Sequence, residues 1–367
     1  MAIGIAESGL HPATASERLP TVLSVAPALP SHYRDQDALI EAAKQHWIRA
    51  PLQRKRLERL FRSTGVDGRH LALSVDEMAA LRSFEDANGA YIRCAVELGA
   101  RAVAEALARA GLAARDVDHI FFASVTGIAT PSIDVRIANR LGLRRDLKRT
   151  PIFGLGCVAG AAGLARASDY LRAYPGEIAL LLTVELCSLT LQRDDDSIRN
   201  LIAGGLFGDG AAAVVLGGCA SAGDGPQVLA TRSVLFPDTE AMMGWDITER
   251  GFRVVLSAEV PSLVRDHLRG EVDDFLAAHD VSLGEIESFV CHPGGPKVLR
   301  ALADALDLPA EALAVTWESL ARVGNVSSVS VLMVLEETMR RRPRAGSLGL
   351  LIGMGPGFCA ELVLLAW

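Results

Sequence analysis

The sequence of 367 residues contains no apolar run long enough to cross a membrane and no pair of cysteines in CxxC spacing. The apolar run EIALLLTVEL at 177–186 has the length of a buried strand, whereas a membrane helix needs about 20 residues. The first twenty residues lack a basic start followed by an apolar block, so we expect no export signal. Six widely spaced cysteines favour a cytoplasmic protein with reduced thiols over a disulfide framework or a zinc site.

The charges of the chain exclude two kinds of partner. The net charge is -7, from 37 basic and 44 acidic residues that are mixed along the sequence. We therefore expect neither nucleic acid nor an anionic membrane as a partner. Half of the residues are hydrophobic, which is enough for a large core and for one or two tightly joined domains.

Helical and strand-like patterns alternate along the chain. Helical periodicity at 36–49, 52–63 and 74–110 precedes strand-like runs at 119–125, 150–155, 177–186 and 211–218. After the small polar stretch SAGDGPQ at 221–227, the alternation starts again. Further helices are predicted at 257–279, 295–306 and 327–342, and strands at 287–293, 348–355 and 359–367. This alternation predicts an α/β protein with a buried, largely parallel sheet.

The two halves of the chain end in similar segments. GDGAAAVVLGG at 208–218 and GPGFCAELVLL at 355–365 are each a glycine turn followed by a strand, which suggests a duplicated α/β unit. We therefore divide the chain into a loose N-terminal arm at 1–20, a first half at 21–220 and a second half at 221–367.

The stretch PIFGLGCVAGAAG at 151–163 places one cysteine among glycines and alanines. Gly154, Gly156 and Gly160 are spaced one residue too widely for the dinucleotide fingerprint, and the lysine of a phosphate-binding loop is missing. Two interpretations stay open. Cys157 is either an inert buried residue beside a closely packed helix, or a nucleophile at the start of a helix over 157–174. Unpaired N–H groups at a helix start can lower the pKa of a thiol.

Two further polar residues occupy positions where a reaction site can form. His292, in VCHPGGPKVL at 290–299, ends an apolar strand, and reactive groups collect at strand ends in α/β sheets. Asn325, in RVGNVSSVSV at 322–331, precedes a helix and is either an N-cap or an uncharged amide donor. A glycine-proline loop, GMGPG at 353–357, is suited to form the wall of a cavity.

Five motifs taken together resemble one family. GCVAG at 156–160, LFGDGAAA at 206–213, CHPGGP at 291–296, GNVSS at 324–328 and GMGPG at 353–357 occur in the order and spacing of type III polyketide synthases, the chalcone synthase-like branch of the thiolase superfamily. The resemblance runs from about residue 20 to the C-terminus. ELCSLTL at 185–191 and GWDITERGF at 244–252 are most similar to bacterial alkylpyrone and alkylresorcinol synthases.

The resemblance implies a five-layered αβαβα fold built from two duplicated halves and working as a homodimer. It also implies a catalytic triad in which Cys157 carries the acyl chain and His292 and Asn325 assist. Phe207 matches a gatekeeping phenylalanine between the substrate tunnel and the cavity. A second gatekeeping phenylalanine is replaced by Val254, which predicts a wider cavity and argues against a chalcone-type aromatic product.

The resemblance also implies substrate-binding positions around the triad. Thr190 belongs to the cavity, Thr130 reaches the partner's cavity near the two-fold axis, and Ser327, Gly355 and Pro356 lie in the matching loops. A further set provides cations for the phosphates of coenzyme A and corresponds approximately to Lys55, Arg59 and Arg62. A solvated helix face is the alternative for each of these basic residues.

The residue types fit a decarboxylating condensation without metal or redox cofactor. A thiolate at Cys157 can accept an acyl group from an acyl-CoA, and malonyl-CoA then loses carbon dioxide to leave an enolate. Imidazole and amide N–H groups at His292 and Asn325 can stabilise that oxyanion, which a carboxylate would repel. We expect medium-to-long fatty acyl starters and alkylpyrone or alkylresorcinol products. The alternatives are an initiating β-ketoacyl-ACP synthase and, in a different class, a cysteine hydrolase.

Overall fold

The computed structural model describes residues 19–47, 51–218 and 224–367. The arm expected at 1–20 lies outside the described residues except for its last two. Within these ranges the strands are β1 Thr21–Ala28, β2 His32–Asp35, β3 Gly68–Leu71, β4 His119–Ala123, β5 Lys148–Ile152, β6 Ile178–Leu186, β7 Asp209–Gly217, β8 Gln227–Leu235, β9 Met243–Thr248, β10 Gly251–Leu256, β11 Ile286–Cys291, β12 Leu348–Gly355 and β13 Cys359–Ala366.

Six of the eleven α-helices in the described ranges begin and end within a few residues of the positions that the hydrophobic pattern predicts. The eleven helices are α1 Gln36–His46, α2 Pro51–Arg62, α3 Val75–Ala80, α4 Phe84–Ala110, α5 Ile133–Leu141, α6 Ala159–Ala173, α7 Ile198–Leu206, α8 Val260–Ala277, α9 Pro296–Leu306, α10 Ala314–Val323 and α11 Ser328–Arg340. No helix in the described ranges is both long enough and apolar enough to span a bilayer.

The single helix predicted over 74–110 is wrong, because the structure divides it into α3 and α4. Ser74 and Ser83 each cap a new helix, and each forms a capping box with an acidic residue three positions later. The predicted end at Gly111 is confirmed, since this glycine closes α4 in the left-handed conformation at φ 68°. Apart from these boundaries, the sequence pattern did not reveal β1, β2, β3, β8, the β9–β10 hairpin, α7 or α10.

Nine strands form one mixed sheet in the order β11-β12-β13-β8-β1-β7-β6-β4-β5. Only the pairs β11–β12, β6–β4 and β4–β5 are parallel, and the other neighbours run antiparallel. The prediction of a largely parallel sheet is therefore wrong. The tight turn between β12 and β13 permits only an antiparallel pair, and β1 and β8, which the alternation did not reveal, add further antiparallel neighbours.

The strand order repeats on either side of the central β1–β8 pair. Outward from β1 the order is β7, β6 and β4, and outward from β8 it is β13, β12 and β11, with matching directions within each set. Strand β5 extends only the first set and forms an open edge of the sheet. This arrangement fits the duplicated unit inferred from the two glycine-turn segments.

The layers follow from which helices contact which part of the sheet. Helices α6 and α11 pack against each other and against strands of both halves, so they form a central layer. Helices α4 and α5 cover the outer face of the first half, and α8 and α9 cover that of the second. The central core contains Leu164 and Leu332, and the two outer cores contain Val103 and Leu268. The result is the five-layered αβαβα fold of the thiolase type.

Candidate active site

Cys157 lies where β5 leads into α6. Gly154 and Gly156 have φ angles of 98° and 53°, which glycine adopts without strain. A short 3-10 turn, Gly156–Val158, then precedes the α-helix, so the α-helix begins two residues after Cys157 rather than at it. A Cβ at Gly156 would lie 2.8 Å from Pro356, and a Cβ at Gly160 would lie 2.2 Å from the carbonyl oxygen of Ser328. The glycines therefore let the second half of the chain approach the cysteine closely.

The thiol of Cys157 is protonated at neutral pH in this structure. Its side chain is buried, and burial, with a contribution from the Glu185 carboxylate, raises its pKa to about 12. The expectation that the helix start lowers this pKa is wrong, because desolvation raises the pKa and the α-helix begins only at Ala159. The Sγ–H donates to the hydroxyl of Ser327 at 3.5 Å.

His292 follows β11 and is almost fully buried. Its backbone N–H donates to the carbonyl of Ile352 at 2.9 Å, which fixes the residue at the end of the strand. Burial lowers the pKa of the imidazole to about 4, so the ring is neutral at pH 7. Among the described residues, Nδ1 has no hydrogen-bond partner and no hydrogen bond joins the ring to Cys157.

Asn325 is bound to the strand-like backbone beside Phe207. Its N–H donates to the carbonyl of Leu206, and its carbonyl accepts from Gly208, each at 2.9 Å, so the two residues form a parallel bridge. The side-chain Oδ1 accepts from the backbone N–H of Ser327 at 2.8 Å. With Oδ1 held, the amide N–H group has no hydrogen-bond partner in the described part of the chain. The N-cap position of α11 belongs to Ser327, so the alternative of Asn325 as an N-cap is wrong.

A buried carboxylate that the sequence analysis missed lies behind Ser327. Glu185 ends the apolar strand β6 and accepts from Ser328 at 2.7 Å, from Thr126 at 2.9 Å and from the backbone N–H of Val125 at 3.1 Å. The Ser327 hydroxyl also donates to it at 3.4 Å, so hydrogen bonds connect Cys157 to Glu185. Burial raises the pKa of Glu185 to about 7. An acidic residue inside an otherwise apolar strand was the available sequence signal.

Ser327 has a backbone conformation that is unusual for a residue with a side chain. Its φ of 48° and ψ of -127° lie outside the regions that non-glycine residues normally occupy. This conformation lets its N–H reach back to Asn325 while its hydroxyl contacts Cys157. The structure thus brings Ser327 and Asn325 of the second half next to the nucleophile candidate of the first half.

A small cavity of about 80 Å³ adjoins the Phe207 side of the site, and a larger cavity of about 1030 Å³ shares Ser188 and Thr190 with it. Phe207, Thr190 and Val254 line the small cavity, as the sequence analysis expected. Trp245 lines it too, and it pairs directly with Val254 across the β9–β10 hairpin. The prediction that valine at 254 gives a wider cavity stays a prediction, because Trp245 lines the same small cavity as Val254 while the larger cavity adjoins it at Ser188 and Thr190.

The remaining predicted residues lie in different places. Gly355 and Pro356 pack on the turn that carries Cys157, since a Cβ at Gly355 would lie 2.6 Å from the backbone nitrogen of Val158. Thr130 is exposed and is not among the residues that line the cavity. Nowhere in the described ranges do three or more histidine, cysteine or acidic side chains come together in a way that could hold a metal ion.

The three predicted coenzyme A cations all lie on α2. Lys55 and Arg59 are exposed and form no ion pair with any residue in the described ranges. Arg62 is exposed as well, but its guanidinium contacts Asp37 at 2.8 Å and Glu58 at 3.3 Å. Its charge is therefore less available for a phosphate than those of the other two.

Comparisons with known proteins agree with the motifs and the geometry. The family of chalcone and stilbene synthases matches through its N-terminal domain over residues 8–220 and its C-terminal domain over residues 227–366. The chain is 51% identical over 358 residues to 1,3,6,8-tetrahydroxynaphthalene synthase of Streptomyces peucetius subsp. caesius, covering 96% of this chain and 95% of that protein. The protein of the same name from Streptomyces griseus is 33% identical over 348 residues, with 95% and 92% covered.

A solved structure is similar over nearly the whole chain. It is the crystal structure of 1,3,6,8-tetrahydroxynaphthalene synthase from Streptomyces coelicolor A3(2), a bacterial type III polyketide synthase. The TM-score is 0.90 at 32% identity, and the match covers 95% of this chain and 99% of that chain.

Proposed function

The chain belongs to the chalcone and stilbene synthase family and is a type III polyketide synthase, and from that premise we propose that Cys157, His292 and Asn325 carry out its reaction. Such an enzyme is an acyltransferase that condenses CoA thioesters with loss of carbon dioxide from malonyl-CoA. The two alternatives from the sequence analysis, an initiating β-ketoacyl-ACP synthase and a cysteine hydrolase, lose their support because both halves of the chain match this family.

The first step transfers an acyl group to Cys157. The sulfur attacks the carbonyl carbon of the CoA thioester, a new thioester forms, and the bond to the coenzyme A sulfur breaks. Because the thiol and the imidazole are both neutral at pH 7, the proton must leave Sγ as the attack proceeds. We assign its acceptance to His292, which then returns it to the departing coenzyme A thiolate.

The second step releases carbon dioxide from malonyl-CoA. The bonding electrons become an enolate whose charge lies on the thioester oxygen, and its carbon attacks the acyl carbonyl on Cys157. A carbon–carbon bond forms, the bond between the acyl carbon and Sγ breaks, and Cys157 is released as a thiolate that can accept the lengthened chain again. The amide of Asn325 and the N–H of neutral His292 donate to the enolate oxygen. This proposal is carried by one observation, the free amide N–H of Asn325, whose orientation follows from the hydrogen bond that Oδ1 accepts from Ser327.

For the substrates, we propose that malonyl-CoA is both starter and extender, as the relatives named for tetrahydroxynaphthalene suggest. A naphthalene ring has ten carbons, which five malonyl units supply if each loses one carbon as carbon dioxide. The bulky indole of Trp245 in the wall of the small cavity supports a short starter. No cofactor beyond the CoA thioesters is needed for this scheme, and we keep a cytoplasmic location as a proposal from the cysteine content.

The second candidate is the one derived from the sequence, a medium-to-long fatty acyl-CoA extended to an alkylpyrone or alkylresorcinol. The aliphatic side chain of Val254 in the cavity wall favours it. Each buried methylene would contribute about 0.8 kcal/mol, so affinity would rise with chain length if the cavity admitted the chain. The indole of Trp245 is the side chain that decides between the two candidates.

A starter panel tests the two candidates. We expect malonyl-CoA alone to yield 1,3,6,8-tetrahydroxynaphthalene by mass spectrometry, and kcat/KM for lauroyl- or hexanoyl-CoA to be at least about 10-fold lower. In Trp245→Ala, efficiency with lauroyl-CoA should rise about 10-fold or more, because the removed indole leaves room for methylenes. Trp367→Ala is the control, since Trp367 bonds to Ser288 and is not among the residues that line the cavity. A wild-type preference for lauroyl-CoA would refute the malonyl starter and support the second candidate.

We also propose that two copies of the chain pair at the open edge of the sheet. Strand β5 has no neighbour on one side, Lys148, Arg149 and Pro151 are exposed, and the Phe153 side chain that follows is 56% exposed. A second copy would cover the unpaired edge and the exposed ring. Light scattering at micromolar concentration should give the mass of a dimer, and a monomer would contradict the pairing.

A further inference from the structure

A buried arginine connects several parts of the site without belonging to the triad. Arg69 lies on β3, is only 2% exposed and lines the same cavity as Phe207. Its Nη1 donates to the carbonyl of Phe207 at 3.0 Å, and its Nη2 donates to the carbonyl of Gly204 at 2.7 Å. One guanidinium therefore binds two backbone carbonyls of the segment that contains Phe207, the gatekeeper candidate.

These bonds complete the C-terminal end of α7. The last four carbonyls of a helix have no partner within the helix and need one from elsewhere. Here the carbonyl of Gly204 accepts from Arg69, that of Gly205 accepts from Gln36 at 2.9 Å, and that of Leu206 accepts from Asn325. Arg69 and Asn325 thus bind neighbouring carbonyls of the same helix end.

The arginine side chain also packs against the backbone on both sides of the Phe207–Asn325 bridge. A Cβ at Gly324 would lie 3.3 Å from Cδ of Arg69, and one at Gly208 would lie 3.5 Å from its Cβ. Gly324 precedes Asn325, and Gly208 follows Phe207. The side chain therefore supports the two-bond bridge that positions the free amide of Asn325.

The charge of Arg69 is held in the interior by a buried acid. Burial lowers the pKa of the guanidinium to about 10, and the Asp209 carboxylate opposes that shift, so the group stays charged at neutral pH. Asp209 in turn accepts from the backbone N–H groups of Ser188 at 2.8 Å and Ala72 at 2.6 Å. Ser188 lines the same cavity as Arg69. Asp209 therefore holds one residue of the cavity wall by hydrogen bonds and stabilises the charge of another.

We propose that Arg69 is a positioning residue, which sets the place of Phe207 and Asn325 and through them controls decarboxylation of malonyl-CoA and the length of the product. The proposal rests on the role given to Asn325 under the proposed function. A displacement of about 1 Å in a catalytic group can cost about 100-fold in rate. Loss of the two hydrogen bonds from Arg69 releases the helix end to which Asn325 is bridged. We therefore expect the loss to slow decarboxylation more than acylation.

The test uses Arg69→Met and Arg69→Lys, with Arg172→Met as the matched control. Arg172 likewise donates from one guanidinium to two backbone carbonyls, those of Val228 at 2.9 Å and Leu229 at 2.8 Å, but on β8. Three quantities are measured for each: Tm, carbon dioxide release from malonyl-CoA, and acylation of Cys157 by intact mass. The distribution of product lengths is recorded as well.

We expect Arg69→Met to lower decarboxylation about 10- to 100-fold and Cys157 acylation less than about 3-fold, with more short products. Arg69→Lys, which retains the charge beside Asp209, should recover part of the loss. Arg172→Met should lower Tm and leave the ratio of the two rates unchanged. If Arg69→Met does not fold, Arg69→Lys serves for the same ratio.

Equal losses of decarboxylation and acylation in the Arg69 variants would overturn the proposal, because they would indicate a general loss of folding. So would an unchanged decarboxylation rate in Arg69→Met alongside a large drop in Asn325→Ala. If Asn325→Ala itself decarboxylates at the wild-type rate, the oxyanion role under the proposed function is refuted, and the inference about Arg69 falls with it.

Discussion

Helices α6 and α11 lie side by side in the central layer, and both begin at the active site, but different residue types precede them. The segment before α6 contains Gly154 and Gly156, which both have positive φ angles, and Gly156 lacks a side chain where Pro356 of the second half approaches. The segment before α11 contains Asn325 and Ser327, which are joined by a hydrogen bond and, at Ser327, held in a strained backbone conformation.

The residue types before α6 and α11 differ because the two segments position groups with different roles. A nucleophile must be approached by substrate and by neighbouring residues, so the first segment omits side chains around Cys157. An oxyanion donor must point in one direction, so the second segment uses hydrogen bonds to orient the amide of Asn325. Substitutions before α6 are therefore expected to block access to Cys157, whereas substitutions before α11 are expected to misorient the amide of Asn325.

The largest effect is expected at the nucleophile. Cys157→Ala should abolish polyketide formation, because no acyl-enzyme can form. Cys157→Gln should also make no polyketide but should retain decarboxylation of malonyl-CoA, because its amide mimics the acylated state while His292 and Asn325 remain. Product analysis and carbon dioxide release measure the two activities. Formation of the normal product by Cys157→Ala would refute the assignment of Cys157 as the nucleophile.

The second largest effect distinguishes the roles of the two oxyanion donors, His292 and Asn325. Loss of an oxyanion donor should lower decarboxylation about 100- to 1,000-fold in both Asn325→Ala and His292→Ala. Acylation of Cys157 should survive better in Asn325→Ala, because only His292 takes the proton from the thiol. Intact mass after incubation with acyl-CoA measures the acylation. An equal loss of acylation in both variants would contradict the division of roles.

A smaller effect tests close approach at α6. In Gly160→Ala, the new methyl group meets the carbonyl oxygen of Ser328 at 2.2 Å, so backbone must move at a cost of about 1–3 kcal/mol. Ser327 would move with it, and activity should fall. Gly163→Ala is the control, since its methyl group meets only the flexible side chain of Leu181 at 2.5 Å. Thermal unfolding compares them, and an equal Tm would argue against the close approach as a constraint.

The smallest expected effect is a change of Tm with pH rather than a loss of activity. The pKa of Glu185 is raised from its ordinary value of 4.5 to about 7, so between these pH values the folded chain holds a proton that the unfolded chain has released. Stability from this group therefore falls as pH rises through that window. Glu185→Gln cannot titrate, so the Tm of wild type relative to this variant should fall by a few degrees between about pH 5 and pH 7.5.

The control for this titration is Glu285→Gln. Glu285 is exposed, and hydrogen bonds from Ser282 lower its pKa below 4.5, so it does not titrate in that window. The Tm difference between wild type and Glu285→Gln should therefore be flat from pH 5 to pH 7.5. A flat difference for Glu185→Gln as well would show that Glu185 does not hold the extra proton.

Local patterns predicted a large part of the fold. The alternation of apolar runs and helical periodicity located α1, α2, α6, α8, α9 and α11 within a few residues, because these elements depend on neighbouring residues. Strand direction was not predictable in this way, since it depends on connections between distant segments. The antiparallel pairs β1–β7 and β8–β13 join residues about 120 to 200 positions apart in sequence.

In the candidate site, too, some residues were predictable from local sequence and others depend on tertiary contacts. Cys157, His292 and Asn325 were selected from turns and strand ends, which are local features, and the family motifs put them in order. Glu185 and Arg69 were missed. The apolar strand around Glu185 marks this carboxylate as unusual but does not show that it lies behind Ser327, and nothing in the residues around Arg69 shows that its guanidinium supports Phe207.

By itself, the sequence determined the family, the α/β class, the glycine turn around Cys157 and the pair of polar residues that can assist it. Only the tertiary structure decided the protonation of these groups and the size of the cavity. Burial raises the pKa of Cys157 and lowers that of His292, and burial is a property of the packed chain. Likewise, the hairpin register sets Trp245 opposite Val254, so both side chains line the same small cavity.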